Sequence, residues 1–345
     1  MMEDVTFIIL TLNEEVNLPG CLRSIRGFAK RVVVVDSGST DRTIEIARRM
    51  GADVYEHPFE NYARQFNWAI DHTEITTKWT FRLDADERLT GKLMKELSHI
   101  MRMHAEDDVN GAVMEAWLIF MGRRIRHGAH NKRKLMLFRT GKGRIEDRRM
   151  DEHTVLSEGR AVTCRERFIH HDFKDMSHWI RKMNWYATRE MQDYISSCPG
   201  EMQDYISSCP RKMQDYISPC PGKMPGEEEQ PCIKNKATER FGYSCGTGEK
   251  TINGTASEPY LGTENDRGIA RTRRNKYGIY YKFPMFIRCR LLFIYYYFFR
   301  LGFLDGREGY IFHYMYHMWY RTLVDAKILE QRKSGRPFEK TGELR

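Results

Sequence analysis

Residues 5–15 read VTFIILTLNEE, a run of β-branched and apolar residues that ends in polar ones. Residues 31–43 read RVVVVDSGSTDRT and form a second run of the same kind. Continuous apolar runs of this length, without alternating polar residues, are typical of strands that are buried on both faces of a parallel sheet. We therefore predict that these two segments are strands of one parallel sheet.

The segments that follow these two runs have helical patterns. After the first run, apolar residues recur at helical spacing, at Leu18, Cys21, Leu22, Ile25 and Phe28. After the second run, Ser39, Thr40 and Asp41 are suitable N-caps for a helix that extends through Met50. Residues 51–57, GADVYEH, then predict a short third strand. This alternation predicts a doubly wound α/β sheet with right-handed crossovers.

Polar clusters stand at the ends of the predicted strands. Their members are Thr11, Asn13 and Glu14, then Asp36, Ser37 and Ser39, then Asp84 and Asp86. In sheets of this class, ligands bind beyond the carboxyl ends of the strands, so the clusters are expected to converge on one cleft. The first strand is not followed by GxGxxG or GxxxxGK[ST], which excludes a dinucleotide fingerprint and a P-loop there.

The third cluster lies in FRLDADE, residues 81–87. If this segment is extended, Asp84 and Asp86 point to the same face, where their like charges repel. A divalent cation would relieve that repulsion, and hard oxygen ligands suit Mg²⁺ or Mn²⁺. We therefore predict Asp86 and Asp84 as metal ligands, with a solvated acidic turn as the alternative.

These motifs, in this order, resemble family-2 glycosyltransferases of the GT-A fold. The finer resemblance is to bacterial lipopolysaccharide core β-1,4-glucosyltransferases. It is carried by KLMLFRTGKGR (residues 134–144), the histidine-rich FIHHDFKDMSHWIRKMNWYA (168–187) and RLGFLDGREG (300–309). The resemblance covers roughly residues 4–190 and 268–330.

The resemblance implies a role for each residue at the strand ends. Asp36 would hydrogen-bond the uridine base of a UDP-sugar. The nucleoside pocket would be lined by Thr11, Asn13 and Glu14, with Ser37 beside Asp36. Asp84 would hold the ribose or the metal shell, and Asp86 would coordinate the Mg²⁺ or Mn²⁺ ion. His170 or His171 would touch the diphosphate or close the cleft, and a plain structural role is the alternative.

The resemblance also implies a catalytic base in MDEHTVLSEG, residues 150–159. Transfer with inversion needs a carboxylate that removes the proton of a weakly acidic acceptor hydroxyl. Glu152 matches best. The commoner pattern has histidine before that glutamate, and this chain has Asp151, so Asp151 is a second candidate. Lys182 and Asn184 are expected to border the acceptor site.

The C-terminal part is basic and rich in aromatic residues. The 345-residue chain has a net charge of +9, and residues 267–345 contain 17 Lys and Arg but only 6 Asp and Glu, so the rest of the chain is slightly acidic. Aromatic and cationic residues on helices favour an anionic membrane surface, so we expect a cytoplasmic protein that is peripheral on the inner face of the plasma membrane. The alternative is that these rings pack on the catalytic domain or a partner. No nucleic-acid motif accompanies them, and no membrane span or export signal is expected.

The middle of the chain contains tandem repeats of 11 residues. EMQDYISSCPG (190–200) recurs as EMQDYISSCPR (201–211) and KMQDYISPCPG (212–222). Three of the eight cysteines belong to these units, so their spacing reflects duplication, and reduced thiols are expected. The segment from 190 to 266 is predicted to be a disordered linker that is dispensable for transfer.

Three regions are therefore expected. Residues 1–190 form the nucleotide-sugar transferase domain, 190–266 the repeats and linker, and 267–345 a helical, membrane-associating tail. The leading hypothesis is a metal-dependent inverting transferase that moves a sugar, with glucose as the first candidate, from a UDP-sugar to a lipopolysaccharide-core or other lipid-linked acceptor. A transferase that acts on polyprenyl phosphate and a non-catalytic scaffold whose repeats bind a partner are the alternatives.

Overall fold

The architecture is a mixed β-sheet with helices on both faces, followed by a helical C-terminal region. It comes from a computed structural model that describes residues 2–128, 133–147, 152–197 and 279–334. The strands are β1 (Glu3–Thr11), β2 (Ala29–Asp36), β3 (Asp53–Glu56), β4 (Trp79–Asp84), β5 (Glu87–Arg88), β6 (Val109–Phe120), β7 (Arg123–Arg124), β8 (Arg133–Arg139), β9 (Gly143–Ile145), β10 (Thr154–Leu156) and β11 (Arg160–His171).

The described residues contain eight α-helices and four short 3₁₀ or π-helical turns. All four turns lie in the C-terminal region, and three of them separate its α-helices. The helices are α1 (Leu18–Ile25), α2 (Thr43–Arg49), α3 (Tyr62–His72), α4 (Gly91–Met103), α5 (Met176–Ser197), α6 (Ile287–Ile294), α7 (Gly306–His313) and α8 (Tyr320–Ser334). The turns are 3₁₀ at Tyr280–Lys282 and Gly302–Asp305, and π-helical at Tyr295–Phe299 and Tyr314–Trp319.

The sheet has the order β3-β2-β1-β4-β8-β6-β11-β5, and β7 pairs with β6. Strands β1 to β4 are parallel to one another, whereas β8 is antiparallel to both β4 and β6. In this register Thr11 lies opposite Asp36, and Leu10 opposite Asp84. The predicted doubly wound α/β sheet is therefore confirmed, and the carboxyl ends of its three central parallel strands meet at one edge.

The sheet is buried on both faces, which explains the continuous apolar runs. Phe7 belongs to the core beneath α1, α2 and α4, where it stacks on Phe81 with ring centroids 4.5 Å apart. Its neighbour Ile8 points to the opposite face and packs with Phe66 of α3. Because successive side chains of a strand alternate between faces, both positions must be apolar.

The C-terminal helices pack on α5. Tyr320, Val324 and Ile328 of α8 are buried against the side of α5 that carries Met183, Ala187, Met191 and Tyr194. The buried carboxylate of Glu190 accepts hydrogen bonds from Tyr281 (2.9 Å) and Arg321 (2.6 Å). The predicted helical C-terminal region is confirmed.

Helix α5 extends across the predicted domain boundary. It continues through Ser197, so the boundary placed at residue 190 falls inside a helix whose Glu190 is buried. The first repeat begins inside α5, because residues 190–197 continue this helix. The other repeats lie outside the described residues. Among the described helices, none is long and apolar enough to cross a bilayer.

The motif RLGFLDGREG joins the C-terminal region to the sheet domain through Asp305. This side chain is 2% exposed, and its Oδ2 accepts hydrogen bonds from the backbone N–H groups of Arg126 (2.9 Å) and His127 (2.8 Å). A Cβ at Gly309 would lie 2.5 Å from the Cβ of Asp305, so glycine allows this close approach. Residues 126–127, which Asp305 holds in place, precede β8 in sequence.

We expect Asp305→Ala to lower the free energy of unfolding by about 2 kcal/mol, because two backbone N–H groups lose a buried acceptor. Urea denaturation of the full chain measures this change. The matched control is Asp71→Ala, whose carboxylate is 43% exposed and bonds to Arg144, and which is expected to change stability by less than about 0.5 kcal/mol. Equal midpoints for the two variants would contradict the role given to Asp305.

Candidate active site

The carboxylate of Asp36 organises the loop after β2. Its Oδ2 accepts hydrogen bonds from the hydroxyls of Thr11 (2.7 Å) and Ser39 (2.6 Å), and its Oδ1 accepts from the N–H groups of Gly38 (2.9 Å) and Ser39 (2.7 Å). Asp36 is fully buried. Both oxygens already have partners inside the protein, so Asp36 shapes the loop, and its contact with a base stays a prediction.

The loops after β1 and β2 are joined by hydrogen bonds. Asn13 has a left-handed backbone (φ 54°), and its N–H donates to Ser39 Oγ (2.7 Å) while its Oδ1 accepts from Thr40 N–H (2.8 Å). The N–H of Glu14 donates to Thr43 Oγ1 (2.7 Å). Ser37 donates its N–H to the carbonyl of Thr11 (2.9 Å). The structure thus brings together the residues predicted to line the nucleoside pocket.

Asp84 is held by two donors from the protein. Its Oδ1 accepts from the Tyr62 hydroxyl (2.6 Å), and its Oδ2 accepts from Nζ of Lys134 (2.6 Å). Burial raises the pKa of Asp84, but the charges of Lys134 and Arg82 lower it more, so its pKa is well below the ordinary value. Asp84 is therefore an ionised carboxylate that is already paired with a cation.

The segment after Asp84 is not extended. Strand β4 ends at Asp84, and the chain turns at residues 85–86 before β5. The expectation that Asp84 and Asp86 share one face assumed an extended chain, and that assumption is wrong. In the described part of the chain, the group whose ligand atoms lie close enough to hold one metal ion consists of Asp86, Glu87 and His170, without Asp84.

Glu87 is the acid of the LDADE motif that sequence reasoning passed over. It is fully buried, its Oε1 lies 2.5 Å from Nζ of Lys134, and its Oε2 accepts the N–H of Asp84 (3.0 Å). Burial, together with the charges of Asp84 and Asp86, raises the pKa of Glu87 to about 7, although Lys134 opposes this shift. Glu87 therefore stabilises the turn at residues 85–86 through its contacts with Lys134 and the Asp84 N–H group.

Asp86 is the carboxylate of this motif that lies next to His170 and Lys182. Its Oδ2 lies 3.4 Å from Nε2 of His170 and 3.5 Å from Nζ of Lys182, and its side chain is 11% exposed. The candidate ligand atoms of Asp86, Glu87 and His170 lie within 4.8 Å of one another. A carboxylate and an imidazole that converge in this way fit a divalent cation such as Mn²⁺. Because Glu87 is engaged by Lys134, Asp86 and His170 are the residues that would hold the ion.

The two adjacent histidines have different surroundings. His170 faces Asp86, whereas the ring of His171 packs against Phe173 with centroids 3.7 Å apart. Adjacent residues of a strand point to opposite faces, and both lie on β11. Of the two candidates, His170 is therefore the one that the structure brings to the cleft.

Two lysines that follow β11 in sequence also lie in the cleft. Nζ of Lys174 lies 2.7 Å from Oε1 of Glu14, and Nζ of Lys182 lies 3.6 Å from Asp172 as well as close to Asp86. Burial lowers the pKa of Lys182, but Asp86, Tyr186 and Asp172 together raise it more, so the ammonium group stays charged. Sequence reasoning assigned Lys182 to the acceptor border and passed over Lys174. Asn184, the other residue of that prediction, is exposed on α5.

Glu152 lies against the same helix as Lys182. Its Oε1 accepts a hydrogen bond from Nη2 of Arg189 (3.0 Å), and both side chains are 14% exposed. Lys182 and Arg189 are seven residues apart on α5, which places them on the same face and about 10 Å apart along the helix axis. Asp151, the second candidate for the base, lies outside the described residues.

Comparisons with known proteins identify a family and relatives that this chain resembles. Residues 6–170 match the model of glycosyl transferase family 2. The chain is 31% identical over 199 residues to the lipopolysaccharide core biosynthesis glycosyltransferase LpsC of Rhizobium meliloti, covering 55% of this chain and 71% of that protein. It is 25% identical over 205 residues to an uncharacterized glycosyltransferase of Rickettsia felis, covering 56% and 71%.

A solved structure of residues 1–349 of S. aureus TarS is also similar. It aligns with a TM-score of 0.29 and 18% identity over 41% of this chain. The chain covers 47% of that structure.

Proposed function

Because this chain belongs to glycosyltransferase family 2, we propose that it moves a sugar from a UDP-sugar to a lipopolysaccharide-core or other lipid-linked glycan, with inversion and with a bound divalent cation. The observation that carries the proposal is the convergence of Asp86, His170 and Lys182 beside the joined loops after β1 and β2. The acceptor class is supported by the similarity to LpsC, whose name assigns it to lipopolysaccharide core biosynthesis. Glucose is the first candidate for the sugar.

The donor side of the cleft combines acids with fixed cations. Asp86 and His170 would hold the Mg²⁺ or Mn²⁺ ion, which when bound neutralises charge on the diphosphate as a Lewis acid. Lys182 lies beside them and offers a charged ammonium group to the leaving diphosphate. Thr11, Asn13, Glu14, Asp36 and Ser37 shape the loops that would enclose the nucleoside, and Asp84 stays a candidate contact for the ribose.

The acceptor side requires a base. As the acceptor oxygen forms its bond to the anomeric carbon, the bond from that carbon to the diphosphate oxygen breaks. The acceptor proton passes to a carboxylate, for which Glu152 is the first candidate and Asp151 the second. Arg189 orients Glu152, and the separation of about 10 Å between Arg189 and Lys182 leaves room for a sugar ring between base and leaving group.

Hydrolysis of a panel of nucleotide-sugars by the purified protein with Mn²⁺ tests this proposal. We expect slow hydrolysis of one UDP-sugar in the absence of acceptor, with UDP as the product. Activity only with a GDP- or CMP-sugar would contradict the uridine assignment. With the donor known, a polyprenyl phosphate can be compared with a lipopolysaccharide-core acceptor, which separates the proposal from its nearest alternative.

A non-catalytic scaffold is the alternative from a different functional class. It would not need the charged cleft, where Asp86, His170 and Lys182 lie together. Isothermal titration with UDP and Mn²⁺ distinguishes the two, because a transferase must bind its product and a scaffold need not. We expect saturable binding at one site.

We expect Lys182→Met to weaken UDP binding by about 10- to 100-fold, because a charge-assisted hydrogen bond contributes about 1.5–3 kcal/mol. Methionine keeps most of the side-chain volume but has neither the charge nor the N–H donors of lysine. The matched control is Arg181→Met, the exposed neighbour on α5, which should leave the dissociation constant unchanged. Titration calorimetry with both variants measures the difference, and equal affinities would remove Lys182 from the donor site.

A further inference from the structure

The aromatic residues of the C-terminal region fall into two groups. One group is buried and attaches this region to α5: Tyr320 is 4% exposed, and Tyr281 stacks on Tyr194 with centroids 4.5 Å apart. The other group faces outward. Of the twenty large hydrophobic side chains that are exposed in the described residues, thirteen lie between Ile279 and Tyr314. We call these thirteen the aromatic face.

Ring contacts connect part of the aromatic face. Tyr297 connects its parts, since its ring stacks on Phe293 of α6 (5.2 Å) and contacts the rings of Phe303 (6.3 Å) and Tyr310 of α7 (5.6 Å). A cavity of about 510 Å³ opens among Tyr297, Phe303 and Tyr310, with Arg307 at its edge. The most exposed members are Phe299 (75%), Ile279 (55%) and Phe298 (54%). Exposed apolar surface of this extent marks an interaction site.

Along residues 279–304, the charged side chains of the aromatic face have one sign. Residues 279–304 contain no Asp or Glu, whereas Lys282, Arg290 and Arg300 are exposed among the apolar side chains. The remaining cation of this stretch, Arg288, is buried in an ion pair with Asp325. A second copy of the chain that packed face to face would oppose like charges, which is unfavourable. Phospholipid headgroups with negative charge are the complementary partner.

We infer that the aromatic face docks the protein on the surface of an anionic phospholipid bilayer. Aromatic and aliphatic side chains would enter the boundary between headgroups and acyl chains, and Arg290, Arg300 and Lys282 would contact the phosphates. The docking itself is independent of the reaction, but its purpose rests on the proposed function, in which the acceptor is linked to a lipid.

The position of the aromatic face agrees with this purpose. Asp305, at the end of the 3₁₀ turn Gly302–Asp305, bonds the backbone of Arg126 and His127, and the strand that follows in sequence carries Lys134 of the candidate site. Glu308 of α7 also contacts Arg123 (3.5 Å). The docked face is thus attached directly to the domain that carries the cleft.

Co-sedimentation of the full chain with vesicles tests the inference. The vesicles contain phosphatidylcholine either alone or mixed with phosphatidylglycerol. We expect binding to the anionic vesicles only. The double variant Phe298→Ser with Phe299→Ser should reduce the partition coefficient onto anionic vesicles at least tenfold. The double variant Arg290→Glu with Arg300→Glu should reduce it by a similar factor. The matched controls, Phe59→Ser with Met103→Ser and Arg48→Glu with Arg49→Glu, change exposed side chains elsewhere and should bind as the unmodified protein does.

Two results would overturn the inference. One is equal vesicle binding by Phe298→Ser with Phe299→Ser and by its control. The other is a sedimentation velocity experiment in which the unmodified protein is a dimer and this double variant is a monomer. A second copy of the chain would then cover the aromatic face. UDP titration of the same samples keeps the two proposals separate, since loss of vesicle binding with UDP affinity intact concerns docking alone.

Discussion

Asp86→Ala should reduce kcat/KM for sugar transfer by about 10³-fold or more, while the circular dichroism spectrum stays unchanged. Asp86 is the carboxylate that lies next to both His170 (3.4 Å) and Lys182 (3.5 Å). Without it, the cleft loses its anionic metal ligand, and a metal ion contributes several kcal/mol of charge stabilisation in such reactions. A 10³-fold loss corresponds to about 4 kcal/mol. Initial rates with saturating acceptor and varied UDP-sugar measure the effect.

The control for this variant is Asp108→Ala. Asp108 is also an aspartate at the edge of the sheet, but its side chain is 66% exposed and pairs with Arg160. We expect full activity from it. Retention of more than a tenth of the unmodified activity by Asp86→Ala would show that the metal is held elsewhere, and the assignment of Asp86 and His170 would then be wrong.

Glu152→Gln should reduce kcat by about 10²- to 10⁴-fold and leave the affinity for UDP unchanged, because a general base contributes a factor of this size to the chemical step. Glutamine has the same shape and can still accept the hydrogen bond from Arg189, so the contact with α5 persists. Single-turnover transfer rates give the chemical step, and calorimetry gives the UDP affinity.

Two parallel variants make this test specific. Glu158→Gln alters an acid of the same segment whose side chain is 59% exposed, and it should be fully active. Asp151→Asn tests the second candidate for the base. An active Glu152→Gln together with an inactive Asp151→Asn would move the base by one residue. Activity in both variants would exclude the whole segment as its source.

The fold was predictable because a strand that is buried on both faces of the sheet needs an apolar residue at every position. Phe7 and Ile8 face different cores, and the unbroken apolar run follows from that arrangement. The polar residues at the strand ends were also predictable, since parallel strands bring their carboxyl ends to one edge. The turn at residues 85–86 was not, because LDADE contains neither glycine nor proline, and the predicted pairing of Asp84 with Asp86 depended on an extended chain.

The basic residues of the cleft could not be predicted from a local sequence pattern, because they come from distant parts of the chain. Lys134 reaches Asp84 from β8, and Lys182 reaches Asp86 from α5, both across a long separation in sequence. Similarly, composition could not divide the C-terminal aromatic residues between core and surface. Whether a ring such as Tyr320 is buried is determined by which side of α8 meets α5.

The central claim is that a cation held at Asp86 and His170 is required for sugar transfer. The most direct measurement is the transfer rate of the purified protein after exhaustive chelation and dialysis, and again after addition of Mn²⁺. The account predicts that chelation abolishes the activity and that Mn²⁺ restores it in the unmodified protein but not in Asp86→Ala. An undiminished rate after complete removal of divalent metal would contradict it.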